Sequence, residues 1–249
     1  MPVLVVIPAR LGSTRLPRKP LQPLAGVPLI IRVAERVQAH GVADRLVVAT
    51  DAEEIASVAT AAGFEAVLTD RRHQSGTDRV HEVSRRPDFS SYDEIVNVQG
   101  DAPFVSAAAV FGALAQLRRG FELGTGAVPL DAASAAEPSR VKVVLDRRGR
   151  ALYFSRAAIP FSLDPPWGTG LYWQHLGLYA YRRETLSRLA ESAPTQLERA
   201  EGLEQLRALE LGLSIGVERL DEPALPAVDT AEDLREAEEL WTVTQEATR

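Results

Sequence analysis

The sequence predicts an α/β fold: a doubly wound, mostly parallel sheet with an inserted β lobe. Three observations lead there. Val3 to Ile7 is apolar throughout, as a strand is when both of its faces are covered. Short apolar runs then alternate with segments of helical spacing, the pitch of βαβ units. From Asp131 the pattern changes to a hairpin and a loop rich in proline and glycine. We expect a single domain, residues 1–249, with the inserted lobe at about 131–172.

The elements follow in order. After Val3 to Ile7 comes a basic, proline-bounded loop. Leu29, Ile30, Val33, Ala34 and Val37 then recur at helical spacing, and Gly41 can end that helix. Leu46 to Ala49 is the second strand. Asp51 with Glu54 resembles a capping box for a helix through Ala62, stopped by Gly63. Glu65 to Leu68 is a short third strand. A polar loop containing His73 leads to a helix from Thr77. Glu94 to Val98 is the next strand, with Gln99-Gly100-Asp101 at its carboxyl end. A helix from about Ser106 to Arg118 and a strand from Gly124 to Val128 follow. Val141 to Leu145 and Ala151 to Phe154 flank Asp146-Arg147-Arg148-Gly149, a hairpin signal. Leu176 to Tyr181 is an aromatic strand, Leu213 to Val217 another, and a final helix starts at about Thr230.

Composition narrows the function. The net charge is −6, which argues against a general nucleic-acid or membrane-surface binder. There is no cysteine, which excludes disulfides, thiolate metal sites and cysteine nucleophiles. No long apolar run and no signal peptide are evident, so we expect a cytoplasmic protein. Against this acidic background, Arg10, Arg15, Arg18 and Lys19 crowd into one loop with Gly12, Ser13, Pro17 and Pro20. Glycine and proline there predict an irregular loop rather than a helix. The loop is either a solvated basic stretch or a polyphosphate site. Its position after a buried strand is where an open α/β sheet takes an anionic ligand. Neither common glycine-rich phosphate fingerprint is present.

The stretch from Ile7 to Leu24, IPARLGSTRLPRKPLQPL, resembles the N-terminal signature of the sugar nucleotidyltransferases. In detail it is similar to the cytidylyltransferases that activate 3-deoxy-manno-octulosonate (KDO) with CTP. The resemblance continues through Ala49-Thr50-Asp51, Ser75-Gly76-Thr77-Asp78-Arg79, Asn97-Val98-Gln99-Gly100-Asp101, Tyr153-Phe154-Ser155-Arg156, His175 to Tyr181, Leu203 to Arg207 and Val228-Asp229-Thr230. These blocks keep their order along nearly the whole chain. The resemblance implies a nucleotide-diphospho-sugar-transferase-like fold, CTP and a sugar acid as substrates, Mg2+ as cofactor, and a homodimer formed through the lobe.

It also implies roles. Arg10, Arg15 and Lys19 would hold the phosphates, with the Ser13 region adding donors; Arg18 is left to solvent. Asp101 and Asp229 would be the magnesium ligands, although Asp229 read alone is more readily a helix cap. Ser75, Thr77 and Arg79 resemble the base-recognition segment, whereas Arg79 read alone would pair with Glu82 one turn on. His73 fits the same segment or is a surface histidine. Gln99 would meet ribose or sugar hydroxyls, or tie down its loop. His175, Tyr179, Glu204 and Gln205 resemble the acceptor-sugar shell, and Arg156 the arginine that meets the sugar acid's carboxylate.

One departure matters. Leu163 stands where the resembled family carries a second arginine facing the sugar acid. Arg140 or Lys142 would have to fold back to replace it. Activation of another sugar acid, such as sialic acid or amino-KDO, is therefore a rival expectation. A nucleotide-binding protein without catalysis is a second.

Overall fold

A computed structural model describes residues 1–163, 170–223 and 225–247. The chain divides into two compact units, residues 1–107 with 225–249 and residues 108–224.

The first unit begins with β1 (Val3–Ala9), buried at every position. A short antiparallel pair, β2 (Pro23–Leu24) and β3 (Val27–Pro28), turns through Ala25 and Gly26. Both turn residues have positive φ, 48° and 76°, as a two-residue hairpin of matching twist requires. Helix α1 (Leu29–Ala39) buries Leu29, Ile30, Ile31, Val33, Ala34 and Val37. Strand β4 (Arg45–Thr50), helix α2 (Glu53–Ala61), strand β5 (Glu65–Leu68), helix α3 (Gly76–Ser84) and strand β6 (Glu94–Asn97) follow. The strands lie in the order β6-β1-β4-β5, all parallel. The chain therefore winds outward from β1 to β5 and returns to the far side of β1. That reversal creates a crevice outside the carboxyl ends of β1 and β6.

Helix starts differ from expectation in an instructive way. Helix α2 begins at Glu53 behind Ala52, with no side-chain cap. Asp51 is not its cap, because its carboxylate is bound to Arg79 at 2.6 Å. Helix α3 does have a capping box: Ser75 Oγ accepts from the Asp78 amide, and the Asp78 carboxylate accepts from the Ser75 amide, each at 3.1 Å.

The second unit contains helix α4 (Ala107–Arg118), which starts at the boundary, then β7 (Leu123–Leu130), α5 (Ala132–Ala135), β8 (Lys142–Leu145), β9 (Ala151–Ser155) and β10 (Tyr172–Arg182). Helices α6 (Arg183–Ala190), α7 (Gln196–Glu201) and α8 (Gln205–Glu210) lead to β11 (Ile215–Arg219). Strand β7 pairs antiparallel with β10 and parallel with β11. The β8–β9 hairpin meets β10 at Lys142 and Gln174. Asp146 Oδ1 closes that hairpin by accepting from the Arg148 and Arg150 amides, at 2.7 and 2.9 Å. Gly124 is required on β7: a Cβ there would lie 1.8 Å from the Ala113 carbonyl oxygen.

A lobe at 131–172 too thin to bury its own aromatic residues is expected to expose Phe154, Phe161, Trp167 and Tyr172. Phe154 is instead fully buried, edge-on to His175 with centroids 5.0 Å apart. Phe161 is 86% exposed and Leu163 77% exposed, and Tyr172 is half-buried. Trp167 lies outside the described residues.

The chain rejoins the first unit in α9 (Ala231–Ala247). Leu234, Leu240 and Trp241 of α9 pack on a core of Leu16, Leu24, Leu29, Phe104, Val228 and Ala237. The Arg32 guanidinium lies 4.7 Å from the Trp241 ring centroid. The last helix thus fastens the basic loop after β1 through Leu16. No helix among the described residues is long and apolar enough to cross a membrane.

Candidate active site

The crevice at the ends of β1 and β6 holds a cavity of ≈ 360 Å³. Its floor is tight: a Cβ on Gly100 would come 2.8 Å from the Pro8 carbonyl oxygen, and one on Gly76 3.1 Å from Pro8 Cγ. Glycine at these two positions lets the β6 end and the α3 start close against β1.

The basic loop supplies the cations. It is not wholly irregular: a short 3-10 turn spans Lys19–Leu21. Arg18 before it adopts φ 56°, a left-handed conformation uncommon outside glycine. That kink starts the turn at Lys19 and carries its side chain inward. Lys19 Nζ donates to Asp101 Oδ2 at 2.6 Å and to Asp229 Oδ1 at 3.0 Å. Arg15 adds an ion pair to Asp229 Oδ1 at 3.1 Å. Burial pushes the Lys19 pKa down, but the Asp101 and Asp229 carboxylates outweigh it and hold the pKa above the ordinary lysine value. Burial likewise raises the Asp229 carboxyl, and Lys19 and Arg15 more than reverse this. Arg10 lines the cavity with no hydrogen bond to any described protein group. Arg18 lies apart from it, exposed and paired with Glu54.

Asp229 does not cap α9. Thr230 Oγ1 accepts from the Asp233 amide at 3.1 Å, and the Asp233 carboxylate accepts from the Thr230 and Asp229 amides, at 2.8 and 2.9 Å. With capping done by Thr230, the Asp229 carboxylate turns to the cations. Its main chain is fixed to the β6 end, where the Val228 amide donates to the Asp101 carbonyl at 2.8 Å.

The remaining first-unit residues separate. Gln99 is half-buried, lines the cavity and has no side-chain partner among the described residues. Ser13 and Ser75 line it too, though Ser13 Oγ accepts from the Leu16 amide at 3.3 Å and Ser75 Oγ is engaged as the α3 cap. Thr77 is buried in the first turn of α3 and is not among the lining residues. Arg79 reaches the cavity from below. Its guanidinium donates to Asp51, to Thr69 Oγ1 at 2.8 Å and to the Asp70 carbonyl at 3.2 Å, not to Glu82. Glu82 binds His73 Nε2 at 2.7 Å and Arg86 instead. His73, Arg71 and Asp51 border a second cavity of ≈ 440 Å³, which Arg10 and Arg79 also line. Arg71 and the Asp51 anchor were not singled out from the sequence. Asp51 could have been, since it stands at the carboxyl end of β4.

In the second unit His175 is buried, with Nε2 3.1 Å from Thr125 Oγ1. The Thr125 hydroxyl points at the Leu178 carbonyl, 2.7 Å away, so the imidazole donates to it. Burial lowers the His175 pKa to about 3, which keeps the ring neutral. Tyr179 packs on it at 5.3 Å, and burial raises the phenol pKa well above its ordinary value. Gln205 is buried in the first turn of α8, and Glu204 lies 3.4 Å from Arg207. Arg156 donates to three backbone carbonyls, of Glu201 (2.7 Å), Pro138 (3.0 Å) and Gly202 (3.4 Å). The cations considered as replacements at Leu163 are engaged elsewhere. Arg140 binds Glu137 and Gln174, and Lys142 is fully buried on the Glu137 and Arg156 carbonyls.

A family model described as "Cytidylyltransferase" matches residues 4–215. The chain belongs to the cytidylyltransferase family. A relative from Gemmatimonas aurantiaca, named 3-deoxy-manno-octulosonate cytidylyltransferase, is 49% identical over 98% of this chain and 95% of its own. One from Burkholderia ambifaria, named 3-deoxy-manno-octulosonate cytidylyltransferase 2, is 46% identical over 92% of this chain and 89% of its own. Among solved structures, a CMP:2-keto-3-deoxy-manno-octonic acid synthetase complexed with CTP matches with a TM-score of 0.91 and 36% identity, over 98% of this chain and 100% of that one. A cytidylyltransferase from Leptospira borgpetersenii shares the fold, with a TM-score of 0.62 and 16% identity. The α/β nucleotidyltransferase fold is thus that of the family.

The same geometry tests the fit of a metal. Asp101 and Asp229 present hard carboxylate oxygens from two elements within reach of one Nζ. No group of three or more His, Cys, Asp or Glu side chains suited to a metal occurs among the described residues. Two carboxylates fit magnesium, which completes its shell with water and substrate phosphates. They do not make a closed protein cage.

Proposed function

We propose that this chain is a KDO cytidylyltransferase, converting CTP and KDO into CMP-KDO and pyrophosphate. The observation that carries the reading is the meeting of Lys19, Arg15, Asp101 and Asp229 in the β1/β6 crevice, beside Arg10, which has no partner among the described residues. That arrangement occurs in a chain 49% identical to a protein named for this activity.

The acceptor's hydroxyl oxygen forms a bond to the α-phosphorus, the bond from that phosphorus to the α,β-bridging oxygen breaks so that pyrophosphate leaves with its electron pair, and the hydroxyl proton passes to solvent. Such transfers are governed by positioning and electrostatics more than by covalent catalysis. Arg10, Arg15 and Lys19 hold the triphosphate and stabilise charge on the departing pyrophosphate; arginine does so with paired donors, lysine as a point charge. Gln99 offers its free amide to a ribose or sugar hydroxyl. Arg79, held by Asp51, reads the base beside Ser75, in the segment that buried Thr77 anchors, and the Ser13 region adds donors to the phosphates. Asp101 and Asp229 would hold magnesium, which supplies charge neutralisation at the phosphates. His175, Tyr179, Glu204, Gln205 and Arg156 belong to the acceptor side of the proposal. The reading includes a homodimer, for which exposed Phe161 and Leu163 are contact candidates, and a cytoplasmic setting.

The test is a screen of pyrophosphate release with the four nucleoside triphosphates against KDO, amino-KDO and sialic acid. Release with CTP and KDO alone supports the proposal. Faster turnover of another sugar acid would replace the acceptor, and no release with any pair would leave a nucleotide-binding protein.

A further inference from the structure

We infer that Lys19 is a built-in counter-cation for Asp101 and Asp229, and that it must move off them when a divalent cation binds there. The proposal deepens the magnesium reading above and rests on it. Lys19 Nζ sits 2.6 Å from Asp101 Oδ2 and 3.0 Å from Asp229 Oδ1, so one ammonium bridges both carboxylates. Arg15 shares the same Asp229 oxygen at 3.1 Å. The Lys19 side chain is only 16% exposed, which strengthens these contacts relative to surface pairs. A dication bridging those two oxygens would need the place that Nζ holds, and like charges cannot share it.

The consequence is coupling. A dication arriving alone must displace Lys19 and leave an ammonium half-buried without its partners. A dication arriving with a triphosphate displaces Lys19 onto phosphate oxygens, which replace the lost carboxylates. Lysine therefore opposes metal binding by the free protein and favours it in the presence of nucleotide. Linkage makes this reciprocal: the metal must raise nucleotide affinity by the same factor. Lys19 is thereby a positioning residue for the carboxylate pair as well as a phosphate ligand.

Opposite signs separate this from a purely phosphate-binding role. The experiment measures Mn2+ affinity by electron paramagnetic resonance and titration calorimetry, with and without CTP. It compares wild type with Lys19→Met, Lys19→Arg and Lys19→Met/Asp101→Asn. We expect Lys19→Met to bind Mn2+ about tenfold more tightly than wild type without nucleotide, the scale of one lost charged contact. With CTP it should bind no more tightly than wild type. Lys19→Arg keeps the charge and should retain the weak metal binding of wild type. If Lys19→Met fails to fold, a normal Mn2+ affinity in a folded Lys19→Gln protein would equally overturn the inference. Unchanged or weaker Mn2+ binding by folded Lys19→Met would mean that the cation uses the other carboxylate oxygens while Lys19 stays. The double variant separates the two claims: tight Mn2+ binding that survives Asp101→Asn would place the metal elsewhere and sink the magnesium reading itself.

Discussion

Asp229→Asn separates structure from catalysis at the carboxylate pair. Asparagine keeps the shape and an oxygen that can accept from Lys19. It removes the charge that faces Lys19 at 3.0 Å and Arg15 at 3.1 Å. The Asp229 side chain is 40% exposed, so solvent screens both pairs, and the stability cost should be about 1 kcal/mol. Helix α9 should not suffer, because Thr230 and Asp233 form its cap. For a chain of this size that is a fall of roughly 2–4 °C in Tm. Catalysis should suffer far more. Loss of a ligand to a cation that neutralises phosphate charge costs several kcal/mol, so kcat/KM should fall at least about a hundredfold. The assay pairs a thermal melt with initial rates of pyrophosphate release across a magnesium titration. A fall in kcat/KM of less than about fivefold, no more than 1 kcal/mol explains, with an unshifted magnesium dependence would refute the reasoning.

Other substitutions probe the remaining parts. Arg10→Ala should leave the Tm unchanged, because Arg10 binds no described protein group, yet lower kcat/KM for CTP by about ten- to hundredfold, measured by steady-state kinetics. His175 has a folded pKa lowered to about 3 from 6.5, so the unfolded chain takes up its proton first. Its contribution to stability is full above about pH 6.5 and is lost progressively as the pH falls toward 3; melts across that range should show a slope that His175→Gln flattens. Gly124→Ala should cost about 3 kcal/mol or fail to fold, since its Cβ would meet the Ala113 carbonyl oxygen, and urea unfolding would measure it.

Much of this was legible in the sequence where local patterns decide the outcome. The apolar run of β1, the helical spacing of α1 and the turn residues of the β8–β9 hairpin each state their element locally. The failures come from partners distant in sequence. Asp51 has the chemistry of a cap, but Arg79 claims it from a helix further on. Asp229 also looked like a cap, and the residue that caps α9 is its neighbour Thr230. Phe154 looked exposed because a hairpin seems thin, yet His175 on β10 covers it. The left-handed Arg18 and the Ala25 turn left no signal, because neither residue type favours positive φ. Within the site, the loop cations could be named from the sequence. Their pairing with Asp101 and Asp229 could not, because it depends on α9 returning to the β1/β6 crevice.

The most direct test of the central claim is a phosphorus NMR spectrum of CTP, KDO and magnesium incubated with the protein. The account predicts that the triphosphate signals decline while one phosphodiester signal and pyrophosphate grow in equal amounts. Pyrophosphate accompanied by free CMP, or an unchanged CTP spectrum at any concentration of KDO, would contradict it.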